Sequence, residues 1–246
     1  MRVLLVTIAI GERYLEIYNY LFRKSQEDYA NKHGFEFKVV TDYLQKKDNN
    51  HPSSISFHKI LVCSQEWSQD YDYIIFIDAD ILINIQAPSI LDVCDFGDNI
   101  GIADEYSQPT KEARIKIQKK MGWETSATEY YKLCDLDIET EKVFNTGVLV
   151  LQPKKHREFL DNIFNKYVER TINHRRGFHY EQSVIGYEIQ KSEKFVVLPN
   201  NFNAVWGIYK LYDSIYNLTN FFQNNYFTHF AGKADFDKIK SLHQYN

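Results

Sequence analysis

The chain is sparing with cysteine, with proline and with long apolar runs, and each shortage excludes something. Its three cysteines (Cys63, Cys94 and Cys134, in 246 residues) are odd in number, scattered and without metal-ligand spacing. That excludes a disulfide framework and fits a reducing, cytoplasmic setting. No stretch approaches the roughly 20 apolar residues that span a bilayer, so no transmembrane segment is expected. Residues 1–10 are basic and then apolar, but the run is short and Gly11-Glu12-Arg13 closes it as a turn does. It reads as a buried first strand rather than a secretion signal, and Asn217-Leu218-Thr219 then reads as a chance glycosylation match. A basic excess is missing too: 29 Lys and Arg face 33 Asp and Glu, for a formal net charge of -4. This balance argues against nucleic acid as a partner. Five prolines and ten glycines gather into no linker, and no internal repeat is evident, so one domain over 1–246 is expected.

Aromatic residues are plentiful, at 15% with 18 Tyr and 17 Phe. They pack cores, and they also form platforms for sugar rings and bases. Val3–Ile8 and Tyr73–Ile77 are continuous apolar, β-branched runs, as strands buried on both faces require. Further strands are predicted over Phe35–Val40, Ile81–Ile83, Ile100–Ala103, Phe144–Leu151, Phe195–Leu198 and Tyr226–Phe230. Helices are predicted over 13–33 with Gly34 as C-cap, over Ile55–Trp67 and over Lys154–Thr171. Residues 41–54 read as a loop, and the polar stretch 108–141 as an insert. Strands alternating with helices predict an α/β fold with a mainly parallel central sheet flanked by helices. In such sheets ligands sit outside the carboxyl ends of the strands.

The sharpest motif is Phe76-Ile77-Asp78-Ala79-Asp80-Ile81-Leu82. Two carboxylates one residue apart at the end of a buried strand are costly to desolvate and repel each other. A divalent cation relieves both, and hard oxygen ligands select magnesium or manganese, ions that bridge phosphates. The pattern alone equally describes a solvated turn or an N-cap. Phe144-Asn145-Thr146-Gly147 opens another strand; Gly147 permits close backbone approach, and the Asn145 amide both donates and accepts, or the segment is a plain turn. On its own, Tyr14 reads as helix packing. Taken alone, Lys59 reads as a solvated helix lysine and Glu181 as an acid suited to a helix N-terminus.

Taken together these segments resemble the GT-A (Rossmann-like) glycosyltransferases. They are most similar to the retaining glycogenin and bacterial galactosyltransferase group and to the yeast-type galactosyl and mannosyl enzymes. The resemblance runs from about Val3 to Lys233 and implies a DXD motif in Asp78-Ala79-Asp80. It implies Thr7, Ile8 and Ala9 at the nucleoside, Tyr14 at the base, and Lys59 at the donor phosphate or sugar. Asp78, Asp80 and His229 would hold the metal, with Mn2+ favoured over Mg2+ because imidazole is a ligand. Asn145 would face the donor sugar, Glu181 its hydroxyls and Gln182 the β-face of its anomeric carbon, within His179-Tyr180-Glu181-Gln182. Gly232 and Lys233 of Thr228-His229-Phe230-Ala231-Gly232-Lys233 would bind diphosphate; the Pro-Trp that follows this Lys in relatives is replaced by Ala234-Asp235. The nucleotide-sugar part would span about 1–105 and the donor-sugar and acceptor part about 142–233.

The implied reaction moves a hexose from a nucleoside-diphosphate sugar, UDP-galactose or UDP-glucose first, to a glycan, lipid or protein hydroxyl with retention. The insert matches nothing in the family, and its Trp123, Tyr130 and Tyr131 are candidates to stack on an acceptor sugar. Three other readings compete. A haloacid dehalogenase-type phosphatase also ends a strand with Asp-x-Asp, but on an early strand and with a later Asp-Asp pair, which this chain lacks. A nucleotidyltransferase carries a Gly-rich basic N-terminal loop, where Thr7–Arg13 has a single Gly. A non-catalytic nucleotide-sugar or glycan-binding module would need no turnover.

Overall fold

The computed structural model describes residues 1–45, 52–172, 180–212, 217–233 and 235–245. Six strands form the main sheet: β1 (Val3–Ile8), β2 (Glu36–Val40), β3 (Tyr73–Ile77), β5 (Ile100–Asp104), β6 (Phe144–Leu151) and β7 (Phe195–Leu198), in the order β2-β1-β3-β6-β5-β7. β1 pairs parallel with β2 and β3, and β5 pairs parallel with β7. β6 alone runs antiparallel, between β3 and β5. A second, three-stranded sheet joins β4 (Ile81–Ile83), β9 (Phe227–His229) and β8 (Ala204–Val205), in the order β4-β9-β8.

The apolar runs behave as two-sided strands. Leu4, Val6, Ile74, Phe76, Leu149 and Leu151 enter one core. Their neighbours Val3, Leu5, Ile75, Ile77, Val148 and Val150 enter the core on the other face, as a side-chain period of two demands. The first face is covered by a 3-10 helical segment, Pro52–Ser64, and by two helices later in the chain. The second is covered by β4, β9 and the helix before β2. Complete burial of one such aliphatic side chain stabilises by about 1.5–3 kcal/mol.

The helix predicted over 13–33 is two helices, α1 (Glu12–Leu21) and α2 (Arg23–His33). The break falls at Phe22 (φ -120, ψ -39), whose ring is buried against Phe230 and Phe236. Packing against the C-terminal cluster thus overrides helical periodicity. Gly34 caps α2 in the left-handed region (φ 67), as predicted. The insert holds α3 (Lys111–Met121) and α4 (Ala127–Leu133); after β6 come α5 (Pro153–Ile172), α6 (Tyr180–Ser192), α7 (Trp206–Tyr212), α8 (Leu218–Gln223) and α9 (Phe236–Ile239). Asn217 of the sequon caps α8, its Oδ1 accepting from Thr219 N at 2.8 Å. His179, Ala234 and 46–51 of the predicted loop lie outside the described residues. Among the described residues no helix is long and apolar enough to cross a membrane.

Candidate functional site

The site forms where the two sheets meet, at the carboxyl end of β3. Beyond Ile77 the chain turns tightly: Asp78 N donates to Gly147 O at 2.7 Å, and Ile81 N donates to Asp78 O at 3.2 Å. Asp78 and Asp80 therefore flank one turn between β3 and β4. β9 pairs antiparallel with β4, setting Ile81 opposite His229, and Phe230 N donates to Asp80 O at 3.0 Å. Strand pairing thus brings His229 to the two aspartates across 149 residues of chain (229 less 80).

His229 Nε2 lies 3.3 Å from Asp80 Oδ1 and 3.8 Å from Asp78 Oδ2. One ligand atom from each of the three residues falls within 4.8 Å of the others. Lys59, on the 3-10 segment and 3% exposed, reaches Asp78 Oδ1 at 2.9 Å and Glu181 Oε1 at 3.0 Å. Glu181 sits in the first turn of α6 and also accepts from Thr146 Oγ1 at 3.3 Å. Three carboxylates thus face one lysine and one imidazole.

The charges respond as that arrangement dictates. Burial raises the Asp78 pKa, and Asp80 and Glu181 push it the same way, while Lys59 and His229 offset part of the effect. Asp78 keeps 27% of its side chain exposed, so water blunts the shift. Burial acts on Asp80 as well, but the charge and hydrogen bond of His229 outweigh it and its pKa is lowered. Burial opposes a charged His229, yet Asp80 and Asp78 raise its pKa. Glu181 is lowered because Lys59 outweighs its desolvation. With a neutral imidazole the cluster of Asp78, Asp80, Glu181 and Lys59 has two uncompensated negative charges, a field that a dication would cancel. Two carboxylates and one imidazole are a donor set that manganese accepts.

The cleft above the cluster has a volume of about 350 Å³ and is lined by Ile8, Ile10, Tyr14, Ile55, Ser56, Lys59, Phe76, Asp78, Ala79, Asp80 and Glu181. Tyr14 faces the aspartates; burial first, then Asp80 and Asp78, raise its phenol pKa. Of the three β1 residues, Ile8 lines the cleft, whereas Thr7 and Ala9 are wholly buried. Asn145 and Gln182 are buried below it. Gly232 and Lys233 are exposed and do not line it. The close approach to its backbone that Gly147 permits is made by the His229 ring, with which a Cβ on Gly147 would collide at 2.4 Å.

In the insert, Tyr130 and Tyr131 are core residues, at 3% and 0% exposure. They pack against Tyr106 and Tyr187 and have no free face for an acceptor sugar; Trp123 is exposed. Sequence reasoning missed Glu105 and Asn203, both buried and both tied to Asn145. Glu105 directly follows β5, so the strand-end rule could have found it. Asn203 precedes a two-residue strand and carries no sequence signal.

Solved structures of glycosyltransferases superpose on nearly the whole chain. One involved in glycosylation of the major capsid of PBCV-1 matches at a TM-score of 0.63 and 15% identity, covering 99% of this chain and 100% of that one. The galactosyltransferase LgtC, solved with donor and acceptor sugar analogues, matches at 0.59 and 14%, covering 98% and 95%. The chain has the GT-A fold. The bifunctional glycosyltransferase WbbM matches at 0.58 and 14% identity, with 98% of this chain on 49% of that one, so one GT-A unit corresponds to about half of that protein. No family model and no curated sequence matches. At such low identity the likeness is one of fold, and the chemistry rests on this chain's own side chains.

Proposed function

We propose that the protein is a metal-dependent glycosyltransferase that moves a hexose from a nucleoside-diphosphate sugar to a glycan, lipid or protein hydroxyl, with retention. The observation that carries this reading is the convergence of Asp78, Asp80 and His229 at a strand end, beside a cleft that also holds Lys59, Glu181 and Tyr14. UDP-galactose or UDP-glucose is the favoured donor, and Mn2+ is favoured over Mg2+ because His229 offers nitrogen.

A bound dication would neutralise charge growing on the leaving diphosphate as a Lewis acid. Asp78, Asp80 and His229 would hold it. Tyr14, in the cleft wall, offers the ring on which the base stacks. Glu181, held by Lys59 and Thr146, would take sugar hydroxyls, and Lys59 also favours the ionised form of Asp78 beside the diphosphate. In the reaction the anomeric C–O bond to diphosphate breaks, the acceptor oxygen bonds to the anomeric carbon on the same face, and its proton passes to the departing phosphate oxygen. Gln182 and Asn145 would line the opposite side of the sugar. Trp123 is the exposed aromatic left to meet an acceptor.

Asp80→Asn should abolish metal-dependent hydrolysis of the donor while the protein stays folded. Turnover that persists with a chelator present rules out the metal role. Release of free phosphate rather than nucleoside diphosphate would favour the phosphatase reading. The donor is found by thermal shift across nucleotide-sugars with Mn2+, because a ligand at about 100 times its Kd adds roughly 2.7 kcal/mol.

A further inference from the structure

Below the metal-ligand cluster runs a buried, branched chain of hydrogen bonds. Arg114 Nη2, on α3, donates to Glu105 Oε1 at 2.8 Å. Glu105 Oε2 accepts from Asn145 Nδ2 at 2.9 Å and from Gln182 Nε2 at 3.2 Å. Asn145 Oδ1 accepts from Asn203 Nδ2 at 2.8 Å and from Gly147 N at 2.9 Å. Asn203 Oδ1 lies 2.9 Å from His229 Nδ1.

We infer that Glu105 is a positioning residue: through Asn145 and Asn203 it fixes which nitrogen of His229 faces Asp78 and Asp80, and it sets the amide of Gln182 directly. The polarity of the chain follows from donor and acceptor types. A carboxylate paired with arginine only accepts, so it takes the N–H end of both amides it touches. Asn145 is thereby oriented with Oδ1 outward, and the Gly147 amide enforces the same choice. Asn203 must then donate to Asn145, which leaves its Oδ1 to face His229. An acceptor beside Nδ1 keeps a proton on that nitrogen, so Nε2, 3.3 Å from Asp80 Oδ1, is the nitrogen that gives up its proton when a cation enters, as a metal ligand requires. The same carboxylate holds the Gln182 N–H end and turns that residue's Oε1 away from itself. One acid from the end of β5, anchored by an arginine of the unmatched insert, thus orients a ligand on β9 and a residue on α6.

The inference rests on the metal reading of the site, so the test separates the two. In Glu105→Gln, Arg114 retains the amide oxygen and presents Nε2 to Asn145. Asn145 Nδ2 then meets an N–H, and its flip to relieve this gives up the bond from Gly147 N; Asn203 follows, and Nδ1 of His229 becomes an acceptor. Mn2+ binding measured by calorimetry should weaken by about tenfold or more. Adding Asn203→Asp to that variant supplies a carboxylate to Nδ1–H and should bring Mn2+ affinity back toward wild type. Ring 15N shifts of the metal-free protein, assigned by loss of the signal in His229→Ala, should report a protonated Nδ1 in wild type and an unprotonated Nδ1 in Glu105→Gln. An unprotonated Nδ1 in wild type, unweakened Mn2+ binding in Glu105→Gln, or no recovery in the double variant would each overturn the inference. If Glu105→Gln does not fold, the wild-type 15N result decides alone. If wild type binds no Mn2+, the metal reading falls while the 15N result still judges the relay.

Discussion

The imidazole of His229 lies in the space that a side chain on Gly147 would need. A Cβ on Gly147 would come within 2.4 Å of Cε1 and 2.7 Å of Nδ1. The ring has little room to retreat, because β9 pairing fixes its backbone and Asn203 holds Nδ1. Gly147→Ala is therefore expected to weaken Mn2+ binding by about tenfold or more and to cost about 1–3 kcal/mol of stability through overpacking. Calorimetric titration and urea unfolding measure the two. Wild-type values for both would mean that His229 is free to move.

Lys59 is the buried cation between Asp78 and Glu181. Lys59→Met leaves both carboxylates without it, and breaking a buried pair in this way costs about 3–5 kcal/mol. Added Mn2+ should then raise Tm by more than it does in wild type, since the site has gained negative charge. A metal-free variant as stable as wild type would contradict the pairing.

Asp235 ties the segment after Lys233 to α7. Its carboxylate accepts from Lys210 at 2.8 Å, Lys238 at 2.9 Å and Trp206 Nε1 at 2.7 Å. The Lys210 bond is the main cause of a strongly lowered pKa, with Lys238 and Trp206 adding to it against some desolvation. A lowered folded pKa contributes stability above the unfolded value, about 3.9, and that stability is lost as pH falls from there through the folded pKa. Both lysines are half exposed, so Asp235→Asn should cost only about 1 kcal/mol at neutral pH. Asparagine tolerates the left-handed backbone of this position (φ 57). The gap between wild type and variant should close on acidification; urea curves across pH that keep it constant would refute the ion pairs.

The Tyr130 hydroxyl is buried without a hydrogen-bond partner among the described residues. Tyr130→Phe removes only that oxygen from the core, so it is expected to be neutral or to stabilise by up to about 1 kcal/mol. A destabilised variant in thermal unfolding would reveal a bond to that hydroxyl.

Much of the fold was legible because two-sided burial writes continuous apolar runs. Val3–Ile8, Tyr73–Ile77 and Phe144–Leu151 all form strands as read. The Asp78 and Asp80 cluster was legible because adjacent carboxylates at a strand end demand a counter-charge. The break at Phe22 was not, because it is imposed by rings more than 200 residues away in sequence. The burial of Tyr130 and Tyr131 was equally hidden, since a tyrosine reads the same whether it packs or stacks. Asn203 escaped notice because its part depends on two neighbours' hydrogen-bond polarity, which no local pattern records.

The small sheet β4-β9-β8 has a temporal consequence. Asp78 and Asp80 are made well before His229, the third member of their cluster, and before Asn203, whose amide touches its ring. Until synthesis has passed residue 229 the nascent chain has a pair of aspartates with no ring to complete them. A fragment that ends before residue 229 lacks the imidazole and cannot assemble the cluster of Asp78, Asp80 and His229.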